Sequence, residues 1–444
     1  MNELRQLLKL AAPLAVAQAG LALMGLVDTA VVGRLGAAPL GATGLGNGLF
    51  FALAIIGLGA MMGLDPLFAQ AFGASDQRRA RELLWQGMWL SLAVTLVLAI
   101  PVALVPLLLE PAGIPPEVAR TARWFIWLRM PGLWPMFAFA GLRSYLSAMH
   151  VTRPLVVATV LANVGNLLLD VFFVFGPPAM GAPGSALATS ICTFLMFAVM
   201  ALAAHKAQPG LEVRRRISLP DLRKALRVGI PVGLQLGAEV GIFALVGLLA
   251  GRLGEQSLAA HQVAISLASF TFCAAVGVGQ AGSVRVGWAI GAHDTKAARR
   301  SGLVAFAGGA LVMGIAALLF WLVPEKLARM LSDQPDVISA SVPLLAVCAV
   351  FQLSDGIQGV GAGVLRGAGD TAYPFLANLV GHYFVGLPTA VWLGLFAGMG
   401  VIGLWWGLCA GLTAVAVALL WRFLRLSARE IVPLEAHPRV PSSG

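Results

Sequence analysis

Charged side chains are scarce in this sequence. They make up 11% of its 444 residues, whereas 59% are hydrophobic. Soluble domains carry about 25% charged residues, so the composition excludes an ordinary soluble fold and predicts a polytopic membrane protein. The net charge of +10 does not indicate nucleic-acid binding, because Lys and Arg occupy short loops between apolar runs without interleaved aromatic residues.

Cysteine and enzyme motifs are also sparse. Four isolated cysteines lie in apolar runs (Cys192, Cys273, Cys348 and Cys409), with no spacing that predicts a disulfide or metal site. There is no phosphate-binding Gly-Lys-Ser/Thr loop and no HExxH motif. The GxGD at 367–370 matches intramembrane aspartyl proteases, but it falls in a predicted cytoplasmic loop. We therefore expect neither enzyme activity nor a cofactor.

Long hydrophobic runs dominate the chain and predict an all-α integral membrane fold with twelve transmembrane helices. The predicted spans are 7–33, 41–72, 85–109, 120–146, 154–176, 184–205, 225–250, 258–290, 301–323, 339–366, 374–396 and 400–425. The first is too long for a cleavable signal and is interrupted by Asp28, so we expect it to be retained.

Basic residues predict the orientation of the spans. With the N-terminus inside, most of the 30 Lys and Arg residues fall on the same side, so both termini should be cytoplasmic. The opposite side receives only Arg34, Arg120, Arg123, Arg129, Arg252, Lys326 and Arg329. A composition rich in Ala, Gly, Leu and Arg suggests a bacterium, and hence the inner membrane.

The chain repeats itself. A shift of 218 residues places the GRLG of 33–36 on the GRLG of 251–254, and Pro13 on Pro231. Six helices per half is an even number, so the repeat is parallel and its pseudo-two-fold axis runs along the membrane normal. The predicted domains are a six-helix bundle at 1–205, a cytoplasmic linker at 206–224, a six-helix bundle at 225–426 and a cytoplasmic tail at 427–444.

The first half carries acids at membrane depth. Asp28 lies in the first span, and Asn163, Asn166 and Asp170 share a face of the fifth. A carboxylate in the hydrocarbon costs about 2.5 kcal/mol or more, so it needs a proton, a cation or a wet cavity. Carboxylate and amide oxygens suit Na⁺ or a held proton. The alternative is a hydrogen-bonded cluster that only packs the bundle.

The second half has its own acids. Gln235 and Glu239 lie one turn apart in the seventh span, and Asp355 lies in the tenth, one turn after Phe351. Glu239 and Asp355 are the strongest candidates for a cation or cationic-substrate site, with the ring of Phe351 as a possible cation–π partner. A wet lumen-lining acid without a role is the alternative for Glu239.

Two further residue types have structural interpretations. Pro13 removes a helical hydrogen bond in the first span and is either a static kink or a hinge that responds to the protonation of Asp28. His261 and His382 are expected to be hydrogen-bonded helix residues.

Several motifs together resemble the multidrug and toxic compound extrusion (MATE) family, over essentially all twelve spans. They are MGLVDT at 24–29 with GRLG at 33–36, QAFGA at 70–74, AHQV at 260–263, and LRGAGDT at 365–371 with Pro374. The resemblance implies a cation-coupled antiporter with two bundles around a cleft that opens alternately to each side. Its substrates would be amphipathic, often cationic drugs, carried by a protein surrounded by membrane lipids; we expect a monomer.

The resemblance also assigns residues. Glu239 and Asp355 match paired acids of the NorM branch, and Phe351 stands where that branch has tyrosine. Asp28, Asn166 and Asp170 match the family's N-terminal cation site, and Thr189 matches its helix-6 threonine. The coupling ion stays open between Na⁺ and H⁺, at either site.

A lipid-linked oligosaccharide flippase of the same superfamily is the alternative function. Such a flippase should carry cationic residues in its cleft for pyrophosphate, whereas the predicted intramembrane charges here are acids.

Overall fold

The computed structural model describes residues 2–208 and 211–435, and this part of the chain is helical, without strands. The helices are α1 (Asn2–Gly33), α2 (Ala37–Met62), α3 (Leu64–Gly73), α4 (Gln77–Leu104), α5 (Pro116–Arg129), α6 (Leu133–Ala148), α7 (Arg153–Phe175), α8 (Ala182–Ala207), α9 (Leu219–Arg252), α10 (Glu255–Gly291), α11 (Thr295–Leu322), α12 (Pro324–Arg329), α13 (Pro335–Gly367), α14 (Ala372–Leu379), α15 (Leu387–Val391) and α16 (Gly400–Leu426). The predicted tail beyond residue 435 and linker residues 209–210 lie outside the described residues.

Eleven helical segments of the described chain are long and apolar enough to cross a membrane. The fourth predicted span, 120–146, is the one missing from these eleven, and it is present as α5 and α6, joined by a 3-10 turn at Met130–Gly132. Pro131 lacks the N–H that an uninterrupted helix needs there, so neither piece alone is long enough to qualify. Exposed side chains such as Leu96, Leu168 and Val97 give the spans an apolar outer surface suited to lipid. The all-α membrane architecture is therefore confirmed.

The internal repeat is visible in the backbone. Gly36 and Gly254 precede α2 and α10 with φ angles of 112° and 113°, a region that only glycine adopts without strain. Asp76 and Asp294 cap α4 and α11, their carboxylates accepting the backbone N–H three residues on at 2.8 and 2.9 Å. Both pairs are related by the predicted 218-residue shift.

The chain forms two compact units. One contains the chain up to Val16, Gly73–Ser75 and the residues from Leu234 onward; the other contains Ala17–Phe72 and Asp76–Gly233. The change of unit within α1 comes shortly after Pro13, which lies inside that helix. The predicted domain ranges and the hinge at Pro13 stay predictions.

Non-standard helix geometry occurs before α16. Val380–Gly386 and Trp392–Phe396 are π-helical and flank α15. Pro388 has no N–H, so the carbonyl of Phe384 lacks its ordinary helical donor. π-helical turns recur at functional sites, and this one positions His382.

Candidate functional site

The first-half site, defined by Asp28, Asn163, Asn166, Asp170 and Thr189, is built from α1, α7 and α8. Thr189 Oγ1 lies 2.9 Å from Asp28 Oδ2 and donates to it. Asn166 Nδ2 lies 3.4 Å from Thr189 Oγ1, so α7 is linked to the same group. Asp170 interacts electrostatically with Asp28. The structure thus brings four of the five predicted residues together.

Asn163 faces a different partner. Its amide nitrogen donates to the carbonyls of Gly20 (3.0 Å) and Thr159 (2.9 Å), which fixes α7 against α1. The contact is tight: a Cβ at Gly20 would lie 2.3 Å from the methyl of Thr159. We therefore assign the amide nitrogen of Asn163 to helix packing, while its side-chain oxygen makes no hydrogen bond to the described residues.

The buried oxygens of the first-half site are poorly satisfied. Asp170 is 0% exposed, and neither of its carboxylate oxygens makes a hydrogen bond of ordinary geometry to the described residues, although Asp28 and Ser185 lie close enough to interact with it. The same holds for Asp28 Oδ1, Asn166 Oδ1 and Ser185 Oγ. A buried acceptor left unpaired costs about 1–3 kcal/mol, and more when charged. These carboxylate, amide and hydroxyl oxygens are ligands that a hard cation prefers, and the carboxylates could instead bind a proton.

Arg129 also belongs to this site, although the distribution of basic residues predicted a position outside the membrane. It ends α5, and its guanidinium interacts electrostatically with Asp28 and Asp170. The expectation that all intramembrane charges are acids was therefore wrong at this position. The available signal was an arginine inside the predicted span 120–146, two residues before Pro131.

The second-half cavity is a space of about 210 Å³. Glu239 and Asp355 both line it, together with Phe351, Gln358 and His382. The two acids interact electrostatically with each other. The structure therefore brings the predicted pair together at one cavity.

Glu239 is held by two amides. Gln235 Nε2 donates to Glu239 Oε1 at 3.1 Å, and Gln358 Nε2, from α13, donates to the same oxygen. Asp355 is 8% exposed, and no described residue donates a hydrogen bond to its carboxylate. The cavity thus offers one carboxylate that is bonded and one that is available.

Aromatic rings surround the acids. Phe351, 1% exposed, packs edge-on against Trp405 (5.3 Å between ring centres) and Phe243 (6.2 Å). Trp405 Nε1 donates to His261 Nδ1 at 3.2 Å, so the prediction of a hydrogen-bonded His261 is confirmed. The prediction for His382 was wrong: its ring nitrogens have no partner among the described residues. The π-helical turn aims the ring at the cavity instead.

Comparison with known proteins adds family evidence. The MatE family model matches residues 13–172 and 231–392, one segment in each half of the repeat. The multidrug resistance protein NorM of Burkholderia vietnamiensis is 36% identical, covering 94% of this chain and 92% of that protein. The multidrug resistance protein MdtK of Proteus mirabilis is 30% identical, covering 98% and 99%.

Solved structures show the same fold. An outward-facing multidrug resistance MATE transporter of the MOP superfamily superposes with a TM-score of 0.88 at 20% identity, over 96% of each chain. The eukaryotic MATE transporter AtDTX14 gives a TM-score of 0.84 at 22% identity, over 95% of this chain and 96% of that one. At these identities the likeness concerns the fold.

Proposed function

The chain belongs to the MatE family, and on that premise we propose that it is a secondary antiporter that exports amphipathic, often cationic drugs in exchange for external Na⁺ or H⁺. The observation that carries this proposal is the presence of membrane-embedded carboxylates with free acceptor capacity in both halves: Asp170 in one and Asp355 in the other. Relatives named as multidrug resistance proteins support the substrate class.

In the mechanism we propose, cation and drug compete for the same carboxylates. In an outward-open state, Na⁺ or H⁺ enters and neutralises Asp28 and Asp170, or Glu239 and Asp355. Neutral carboxyl groups hold a cationic drug less strongly, so the drug leaves outward. In an inward-open state the ion dissociates and a new drug binds. The exchange draws its free energy from the ion gradient, and the alternation is what links the two fluxes.

The second-half cavity supports a role in cation and drug recognition. Its volume of about 210 Å³ is below the roughly 300–1,000 Å³ of typical drug-binding pockets. In this conformation it therefore fits a small cation with water, or one ring of a drug beside Phe351. A larger substrate needs a more open state.

The flippase alternative is weaker. Arg129 is the kind of cationic residue that a pyrophosphate carrier needs, but it lies within reach of two carboxylates that would repel a pyrophosphate. The MatE family assignment and the NorM-type relatives favour drug export. We further propose an inner-membrane location with both termini cytoplasmic, because the loops on one predicted side carry most of the basic residues.

Ethidium efflux from proteoliposomes tests the proposal. Purified protein is reconstituted, loaded with ethidium, and given an inward Na⁺ gradient or an inward H⁺ gradient in separate experiments. We expect at least one gradient to drive efflux above that of protein-free vesicles. Efflux with neither gradient would contradict drug antiport, and lipid-linked oligosaccharide translocation would be assayed next.

A further inference from the structure

Arg129 is an unusual residue for its position. It is the last residue of the 14-residue α5, about 20 Å along the helix from Pro116 at 1.5 Å per residue. Basic side chains this far into a membrane span are rare, and they pair with acids or mark an ion pathway. No step of the proposed antiport cycle involves the positive charge of Arg129.

The backbone around Arg129 is fixed against α8. Ser190 Oγ donates to the carbonyl of Leu128 at 2.7 Å. A Cβ at Gly132 would lie 3.2 Å from the Cα of Ser190, so α5 and α8 approach closely on the other side of the 3-10 turn. Ser190 directly follows Thr189, which donates to Asp28. The helix end that carries Arg129 is therefore held next to the first-half site.

The side chain of Arg129 brings a positive charge near Asp28 and Asp170 without forming a hydrogen bond to either carboxylate. Its guanidinium carbon lies 5.2 Å from the ring centre of Phe50, which is 2% exposed. It interacts electrostatically with Asp28 and Asp170, yet within residues 2–208 and 211–435 it forms no ion pair within 4.0 Å and no hydrogen bond to either. The carboxylate oxygens thus remain available for a ligand.

The charges of this site can be counted. Asp28 and Asp170 supply two negative charges when ionised, and the Arg129 guanidinium, which keeps its proton in proteins, supplies one positive charge. The thiol of Cys192 also lies in reach of both acids but is neutral. With both acids ionised the net charge is minus one, and a net charge inside the membrane is costly. One monovalent cation or one proton brings the site to neutrality.

We infer that Arg129 is a tethered counter-charge that limits the first-half site to one positive charge per transport cycle. This inference rests on the proposed antiport function and specifies its charge stoichiometry. Without the guanidinium, the two carboxylates would call for two positive charges or one divalent cation.

The test measures charge, so it does not depend on whether the ion is Na⁺ or H⁺. In proteoliposomes with a fixed inward cation gradient, ethidium efflux is measured against an imposed membrane potential for wild type, R129Q and R129K. Exchange of one monovalent cation for one ethidium cation moves no net charge, so wild-type efflux should not depend on the potential. Exposed Arg120 on the same helix provides the matched control R120Q. We expect R129Q to move one more positive charge per ethidium than wild type, and R129K and R120Q to move the same charge as wild type. Equal stoichiometry in wild type and R129Q would overturn the inference.

A second pair of variants guards against misfolding of R129Q. D170N has a site charge of zero, and D170N/R129Q has the wild-type charge of minus one. We expect the double variant to move one more charge per ethidium than D170N alone. Equal charge movement by these two proteins would count against Arg129 in the same way.

A binding measurement separates failure of this inference from failure of drug transport. Radioactive Ca²⁺ binding to purified protein needs no drug. A site with two uncompensated carboxylates should bind Ca²⁺ at least roughly tenfold more tightly in R129Q than in wild type or R129K. The gain should disappear in D170N/R129Q. Unchanged Ca²⁺ affinity in R129Q would overturn the inference even if ethidium is not a substrate.

Discussion

Asp170 and Glu239 are both carboxylates in the middle of a membrane span, but their surroundings differ. Asp170 is fully buried without a hydrogen bond of ordinary geometry to the described residues, and the Arg129 guanidinium interacts with it without direct contact. Glu239 accepts two amide hydrogen bonds, from Gln235 and Gln358, and borders a cavity. The first-half site therefore has buried carboxylate oxygens that a cation could bind. In the second-half cavity Glu239 is already hydrogen-bonded, and Asp355 is the acid that remains available to a ligand.

The largest expected effect concerns the acids that each half presents to a ligand. D28N and D355N each remove a charge without changing side-chain volume. Losing a charged hydrogen-bond partner costs about 1.5–3 kcal/mol, which corresponds to a roughly tenfold to hundredfold loss of gradient-driven ethidium efflux. The exposed acid Asp333 supplies the control D333N. Full efflux by D28N or D355N at equal expression would remove that half from the mechanism.

Thermal stability should separate the two halves. Without Na⁺ and at alkaline pH, where Asp170 is ionised, D170N replaces a poorly satisfied buried carboxylate by a neutral amide and should stabilise the protein by about 1–3 kcal/mol. E239Q keeps an oxygen for both amides and should change stability little. The measurement is the unfolding midpoint of purified protein in detergent. A destabilised D170N would show that Asp170 has partners, and the contrast between the halves would be lost.

The hydroxyl of Thr189 tests how finely the first-half site is organised. T189V removes the donor to Asp28 while keeping the side-chain shape, at a cost of about 1 kcal/mol, or roughly fivefold in affinity. We expect a higher half-saturating concentration of the coupling cation with a similar maximal rate. T189S retains the hydroxyl and should behave like wild type. Identical cation affinity in all three proteins would place Thr189 outside the cation site.

The smallest effect is expected at Phe351. F351L removes the ring that faces the second-half cavity, and a cation–π contact contributes about 0.5–1 kcal/mol when the cation keeps its hydration water, as at exposed sites. Efflux of cationic ethidium should therefore weaken more than efflux of a neutral dye. F351Y keeps the ring and should preserve the preference for the cation. An equal loss for both dyes in F351L would indicate a packing role only.

Sequence patterns were sufficient for the spans and most of the acids. Hydropathy, the 218-residue repeat and the scarcity of charged residues are properties of the sequence itself, so they can be recognised without a structure. Arg129 was misplaced because its depth depends on α5 and α6 being one span interrupted at Pro131. The bond from Gln358 to Glu239 joins residues 119 positions apart, and the placement of His382 depends on a π-helical turn; neither has a periodic signal.

The membership of the two compact units has a consequence for separating the two halves of the chain. Residues up to Val16 belong to the unit built mainly from the second half, and residues 217–233 to the unit built mainly from the first. Ion pairs reinforce this: Arg285 with Glu3 in one unit, and Arg79 with Asp221, at 2.5 Å, in the other. Each half of the sequence therefore contributes a short segment to the unit formed mainly by the other half. Two separately expressed halves would each lack part of their own unit, and we expect them to be stable only when both are produced together.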